Sequence, residues 1–230
     1  VKTTVADGVA TIPAGGMLFT GTLNNAIKAS DDLTFFMEFK ADYVLESKVW
    51  HDLFQIANVA RVAPLNTTGA FFTVGQIAGG ISTDPLCDTD PDNAPFAGEW
   101  VRLAYVIDAG TKQVTLLWSA DGGNTWKSKT TTFAGDLSAA NGVQIGLKDD
   151  RGLSLAVNEV RLYSAALDID AVKAIVPNRA ETEVAADANL TLHYDFIGST
   201  DEEKLTDKVS GQNRLTLAST GASEVRSGTV

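Results

Sequence analysis

Arginine, amide and carboxylate side chains have the most chemistry to offer in this chain, and their spacing limits what it can be. Arg102 alternates with Val101, Leu103 and Tyr105 in the run WVRLAYVID, Arg161 with Val160 and Leu162 in AVNEVRLY, and Gln144 with Val143 and Ile145 in VQIG. Successive side chains of a strand point to opposite faces, so the alternation turns all three polar groups away from a core. An arginine fork matches a carboxylate, and planar hydrogen-bonding groups match sugar hydroxyls. The pattern therefore predicts one concave sheet face on which Arg102, Arg161 and Gln144 meet a glycan, an acidic sugar included. Trp50, His51 and Arg151 join them as loop contacts, from VWHD and KDDRG. The competing role for each arginine is an ion pair with a neighbouring acid such as Glu159.

Catalytic chemistry finds less support. A glycosidase needs two carboxylates flanking the scissile bond, about 5–10 Å apart. Glu38, Glu99 and Glu159 each stand alone in the sequence, and no G-x-S-x-G, H-E-x-x-H or P-loop pattern occurs. The one cysteine, Cys87, excludes an intrachain disulfide, and both histidines, His51 and His193, are distant from it in sequence. Around Cys87, the stretch TDPLCDTDPDN sets Asp88, Asp90 and Asp92 at alternate positions, with Asn93 beside them. These hard oxygen ligands are the candidate for a structural calcium ion, although the loop lacks the glycine and closing glutamate of an EF-hand.

The elements that must position these groups are strands. The 230 residues are 44% hydrophobic, with ten Phe, four Trp and four Tyr, which suffices for a substantial core. The net charge of −11, with no cluster of Lys and Arg, argues against nucleic acid as a partner. No run reaches the roughly 18 apolar residues of a membrane-spanning helix. LTFFMEFKAD alternates Leu33, Phe35, Met37 and Phe39 against Thr34, Phe36, Glu38 and Lys40; Phe36 within the polar set implies that this outer face is not wholly exposed. Asp121-Gly122-Gly123-Asn124 closes a hairpin between QVTLLWS and KSKTTT. Further strands are expected in GVATI, MLF, LFQI through ARVAP, AFFTVG, LTLHYDF and RLTLAS. One helix is expected over 165–177, capped by Asp168, with Ile169, Val172, Ile175 and Val176 as its apolar stripe and Pro177 as its stop. STDEEKLTDKVSGQN reads as an acidic loop. About a dozen strands without alternating β/α units predict an all-β, two-sheet antiparallel jelly-roll sandwich with one short helix.

The order of these signals resembles the concanavalin-A-like (laminin-G/pentraxin) superfamily over roughly residues 15–176. The matching pieces are LTFFMEFKAD, GEWVRLAYVID, the Trp118–Trp126 hairpin, VQIGLKD and VNEVRLYSAALDIDAVKAI. Within that group, MEFK, LF, VQIG and LYSAAL resemble the sialic-acid-binding lectin modules that precede bacterial sialidase domains. Ser119-Ala120-Asp121-Gly122-Gly123-Asn124-Thr125-Trp126 fits the Asp-box pattern S-x-D-x-G-x-T-W, a structural hairpin that recurs once per blade in sialidase propellers. It occurs once here, which does not make a propeller. The E-x-D-x-x-E strand of laminarinase-type members is absent. The resemblance implies a non-catalytic, lectin-like carbohydrate-binding module, secreted or at the cell surface, with a glycan as partner and a glycan-processing catalytic domain as neighbour. The alternatives are a glycoside hydrolase or polysaccharide lyase of the same fold, and an adhesive or structural protein-binding domain. Residues 1–177 are expected to form the sandwich. Residues 178–230 are expected to be a linker and C-terminal strands that complete it, in permuted order.

Overall fold

Two antiparallel sheets face each other across one apolar layer. A computed structural model describes residues 2–20, 32–42, 53–56, 60–65, 71–75, 98–133, 142–146, 153–177 and 188–219. Among them are fourteen strands and two short helices. The strands are β1 (Thr4–Ala6), β2 (Val9–Ile12), β3 (Gly16–Phe19), β4 (Leu33–Asp42), β5 (Phe54–Ile56), β6 (Ala60–Leu65), β7 (Phe71–Gly75), β8 (Trp100–Asp108), β9 (Gln113–Ser119), β10 (Lys127–Thr132), β11 (Val143–Gly146), β12 (Ser154–Tyr163), β13 (Leu190–Tyr194) and β14 (Thr216–Ser219). The helices are α1 (Ile169–Lys173) and α2 (Asp201–Leu205). The larger sheet has the order β1-β2-β12-β4-β8-β9-β10, with β13 also on β12, and the smaller β14-β3-β11-β5-β6-β7. The fold is the all-β sandwich that the alternation predicts.

Period-2 alternation builds the core. Phe35, Met37 and Phe39 of β4, Val101, Leu103, Tyr105 and Ile107 of β8, and Val114, Leu116 and Trp118 of β9 point inward from the larger sheet. Leu18, Phe54, Ile56, Val143 and Ile145 meet them from the smaller one. The Phe35 and Phe54 rings stack across the gap, with centroids 3.6 Å apart.

The larger sheet is also partly covered on its outside. Val172 and Ile175, on α1 and just after it, pack with Phe36, Ala104, Val106, Leu117, Tyr163 and Leu190 into a second apolar cluster. This accounts for Phe36, the apolar residue in the otherwise polar set of β4. Asp168 caps α1 by accepting the Ala171 N–H at 2.7 Å. The helix is shorter than its sequence pattern, and Ile169 and Val176 remain exposed at the ends of the stripe.

The tail enters both sheets. β13 pairs with Val160–Tyr163 of β12, and β14 pairs with β3. A bulge between Val157 and Glu159 lets the same edge of β12 take β2 before it and β13 after it. The expected acidic loop after β13 instead holds α2, whose Thr200 and Glu203 form a capping box. Asp207 then organises the turn, accepting N–H bonds from His193, Val209 and Ser210 at 2.9–3.0 Å.

Candidate functional site

Strand register brings four charged residues together on the outer face of the larger sheet. Arg102 pairs with Glu38, Glu38 with Glu159, and Arg161 with His193. Glu38 and Glu159, isolated in the sequence, thus stand directly opposite each other, and like charges so placed repel. Each is matched by its own arginine. Arg102 Nε donates to Glu38 Oε2 at 2.6 Å, and Asn158 Nδ2, from the bulge, donates to Glu38 Oε1 at 2.7 Å. Arg161 Nε donates to Glu159 Oε1 at 2.5 Å, and His193 Nε2 lies 2.7 Å from the same oxygen.

The two arginines differ in access. Arg161 also donates to the Val176 carbonyl at 3.0 Å, and its side chain is 6% exposed. Burial works against its charge, but the Glu159 carboxylate and the Tyr163 hydroxyl outweigh burial and raise its pKa. The expectation that Arg161 offers its fork to a ligand is therefore corrected: the segment following α1 covers it, and its ion pair with Glu159 is internal. Arg102 is three times as exposed, at 18%. Its guanidinium lies against Gly123, where an added Cβ would come within 2.5 Å of Nη1. Beside it on β8, Trp100 pairs with Lys40 of β4, whose ammonium sits 5.5 Å from the indole centroid.

The hairpin behind Arg102 is held by Asp121. Its carboxylate accepts from the Thr125 N–H at 3.0 Å, the Thr125 hydroxyl at 2.5 Å and the Ser119 hydroxyl at 2.7 Å. These bonds, led by the one from the Thr125 hydroxyl, hold its pKa well below the usual carboxylate range. Trp126 Nε1 donates to the Gly123 carbonyl at 3.0 Å. The arrangement braces a turn.

Gln144 does not join the arginines. It lies on β11, in the smaller sheet, so the expected single face is in fact two faces on opposite sides of the sandwich. Its own face carries a row set by register: Thr216 on β14 pairs with Phe19 on β3, Phe19 with Gln144, Gln144 with Gln55 on β5, and Gln55 with Arg61 on β6. Strands lie about 4.8 Å apart, so these five positions span about 19 Å. Thr216, Phe19, Gln144 and Gln55 are half-buried, while Leu18, Val143, Ile145, Phe54 and Ile56 beside them in sequence are buried. Gln144 Nε2 donates to the Gly146 carbonyl at 2.9 Å, which steadies its amide. Gly146 permits the close approach of β3: its φ is +78° and an added Cβ would lie 2.8 Å from the Gly16 carbonyl oxygen.

Trp50, His51 and Arg151 lie outside the described residues, as do Asp88, Asp90 and Asp92. Among the described residues no group of three or more His, Cys, Asp or Glu side chains could hold a metal ion. The sequence reading missed Phe19, Gln55 and Thr216. Each alternates with apolar neighbours in its own strand, but only pairing shows that they share a row with Gln144.

Neither a family model nor a curated protein matches the chain. Solved structures do. One is a protein of Bacteroides ovatus ATCC 8483, provisionally described as carbohydrate-binding, with a TM-score of 0.63 and 17% identity over 96% of this chain. The chain spans 61% of the length of that protein. A heptameric SAP-like pentraxin from Limulus polyphemus gives a TM-score of 0.50 at 14% identity, covering 72% of this chain and 79% of its own. The binding domain of botulinum neurotoxin serotype D gives 0.51 at 9% identity, covering 74% of this chain and 42% of its own. The shared fold is the two-sheet jelly roll. At these identities the likeness extends to the fold alone.

Proposed function

We propose that this protein is a non-catalytic carbohydrate-binding module that holds a glycan reversibly on the outer face of its smaller sheet. The observation that carries this reading is the row Thr216–Phe19–Gln144–Gln55–Arg61. An aromatic ring offers an apolar platform to the C–H face of a sugar. A threonine hydroxyl and two glutamine amides offer donors and acceptors to its hydroxyls. A row about 19 Å long suits several sugar units laid across the strands.

Other observations support the reading. The Bacteroides ovatus protein of the same fold is itself provisionally described as carbohydrate-binding. Glu38 and Glu159, two carboxylates that register sets opposite each other, are the pair that a hydrolase reading would have to use. Yet Glu159 is wholly buried and each carboxylate is engaged by an arginine, which favours binding over hydrolysis. We assign the module to a secreted or cell-surface protein that works beside a glycan-processing domain. Residues 178–230 belong to the same sandwich in this reading, which the pairing of β13 and β14 supports.

A glycan array, followed by calorimetry on the strongest hit, tests the proposal. Phe19→Ala and Gln144→Ala are each expected to weaken binding at least about tenfold with the melting curve retained, the first by removing the apolar platform and the second by removing one or two hydrogen bonds to a sugar. An array with no hit sinks the reading. A chelator arm addresses the structural calcium proposed at Asp88, Asp90 and Asp92: a melting temperature that chelator lowers in the parent chain but not in Asp90→Asn supports calcium there, and one that chelator leaves unchanged withdraws it.

A further inference from the structure

We infer that the larger sheet carries a second ligand site, at Lys40 and Arg102, which takes the carboxylate of an acidic saccharide. The inference rests on the carbohydrate-binding reading but uses the opposite face of the sandwich. It starts from two neighbouring cations in an acidic chain. The net charge is −11, yet on the outer face of β4 and β8 Lys40 and Arg102 both stand beside Glu38, with Asp42 at the strand end. Both oxygens of Glu38 are engaged, one by Arg102 Nε and the other by Asn158 Nδ2. Lys40 forms no ion pair among the described residues, and its ammonium is held over the Trp100 ring at 5.5 Å. Asp42, the next acid on that face of β4, is exposed at the strand end beyond Lys40.

Geometry then favours a shared anion. Lys40 pairs with Trp100, and Glu38 with Arg102, so Lys40 and Arg102 are diagonal neighbours. Diagonal positions on an antiparallel pair lie about 7–8 Å apart, within reach of two long side chains converging on one carboxylate. With Nε committed to Glu38, the Nη groups of Arg102 remain as donors, and Gly123 leaves the room that the guanidinium occupies. Glu38 fixes the orientation of that guanidinium, and Trp100 fixes the ammonium. A neutral saccharide gives such a site no counter-charge, whereas a uronic or other acidic sugar gives it one.

The experiment titrates the full chain with a uronic-acid oligosaccharide and with the same oligosaccharide after its carboxylates are reduced to hydroxymethyl groups. The acidic form is expected to bind more tightly, and to weaken as salt is raised, because an exposed ion pair is screened. Lys40→Gln is expected to weaken the acidic form about tenfold, and Arg102→Lys to weaken it less, since the charge is kept and the fork lost. Phe19→Ala is expected to keep the ratio of affinities between the acidic and the reduced form, whereas Lys40→Gln is expected to collapse it. Equal affinity for the two forms, or an unchanged affinity in Lys40→Gln, overturns the second site. Should Phe19→Ala abolish acidic binding while Lys40→Gln does not, the second site fails and the row on the smaller sheet stands. Should neither oligosaccharide nor any array glycan bind, both proposals fall.

Discussion

Replacing Glu159 with glutamine would leave the Arg161 guanidinium buried without its counter-ion. Breaking a buried pair from one side costs about 3–5 kcal/mol, because the remaining charge keeps its desolvation penalty. Urea denaturation of Glu159→Gln is expected to show a loss of that size, and a change under 1 kcal/mol would mean that Arg161 finds water. Asp121 makes a prediction about pH. Its pKa is depressed in the folded hairpin, so its contribution is complete above the ordinary Asp value, about 3.9, and is lost only as pH falls through the lower folded value. The carboxyl carbon-13 shift of Asp121 should therefore stay flat between pH 7 and pH 4. A midpoint near 4 would show that the bonds from Thr125 and Ser119 do not hold in solution. Arg102, Arg161 and Gln144 illustrate what single residues disclose. Alternation rightly turned each away from the core, but exposure depends on what lies above, and Arg161 has the segment after α1 above it.

Gly146 joins β11 to β3, and Gly146→Ala tests that junction. Alanine would need a strained positive φ and would meet the Gly16 carbonyl oxygen, so a loss above about 1 kcal/mol is expected in thermal denaturation. Binding through Phe19 and Gln144 should weaken with it, because β3 and β11 carry the two residues side by side. At this scale the sequence was legible where alternation was strict, as in β4, β8 and β9. The hairpin turn was legible from its Asp-Gly-Gly-Asn run. α2 was missed although Thr200 and Glu203 supply the capping-box spacing, because five residues give no readable apolar period. The bulge at Asn158 left no local sign, since an extra residue in a strand becomes visible only against its partner.

Truncation after Pro177 probes the whole molecule. It would remove β13 from the larger sheet and β14 from the smaller, and with them the buried Leu192, Tyr194, Phe196, Leu205 and Leu215. The truncated chain is expected to lose its cooperative melting transition and to bind an apolar dye. A sharp transition near that of the full chain would show that residues 1–177 suffice. Sequence by itself determined the class of fold, because period-2 burial is written residue by residue along each strand. It also determined the braced turn at Asp121 and the cap at Asp168, where every partner lies within a few positions. The tertiary structure decided which polar residues share a face. Gln144 left the arginines for the smaller sheet, Phe19 and Gln55 came to its sides, and Glu38 came to face Glu159. The physical reason is register. A strand fixes the direction of its own side chains, but its neighbours, and therefore any site built across several strands, are set by backbone pairing between segments far apart in the chain.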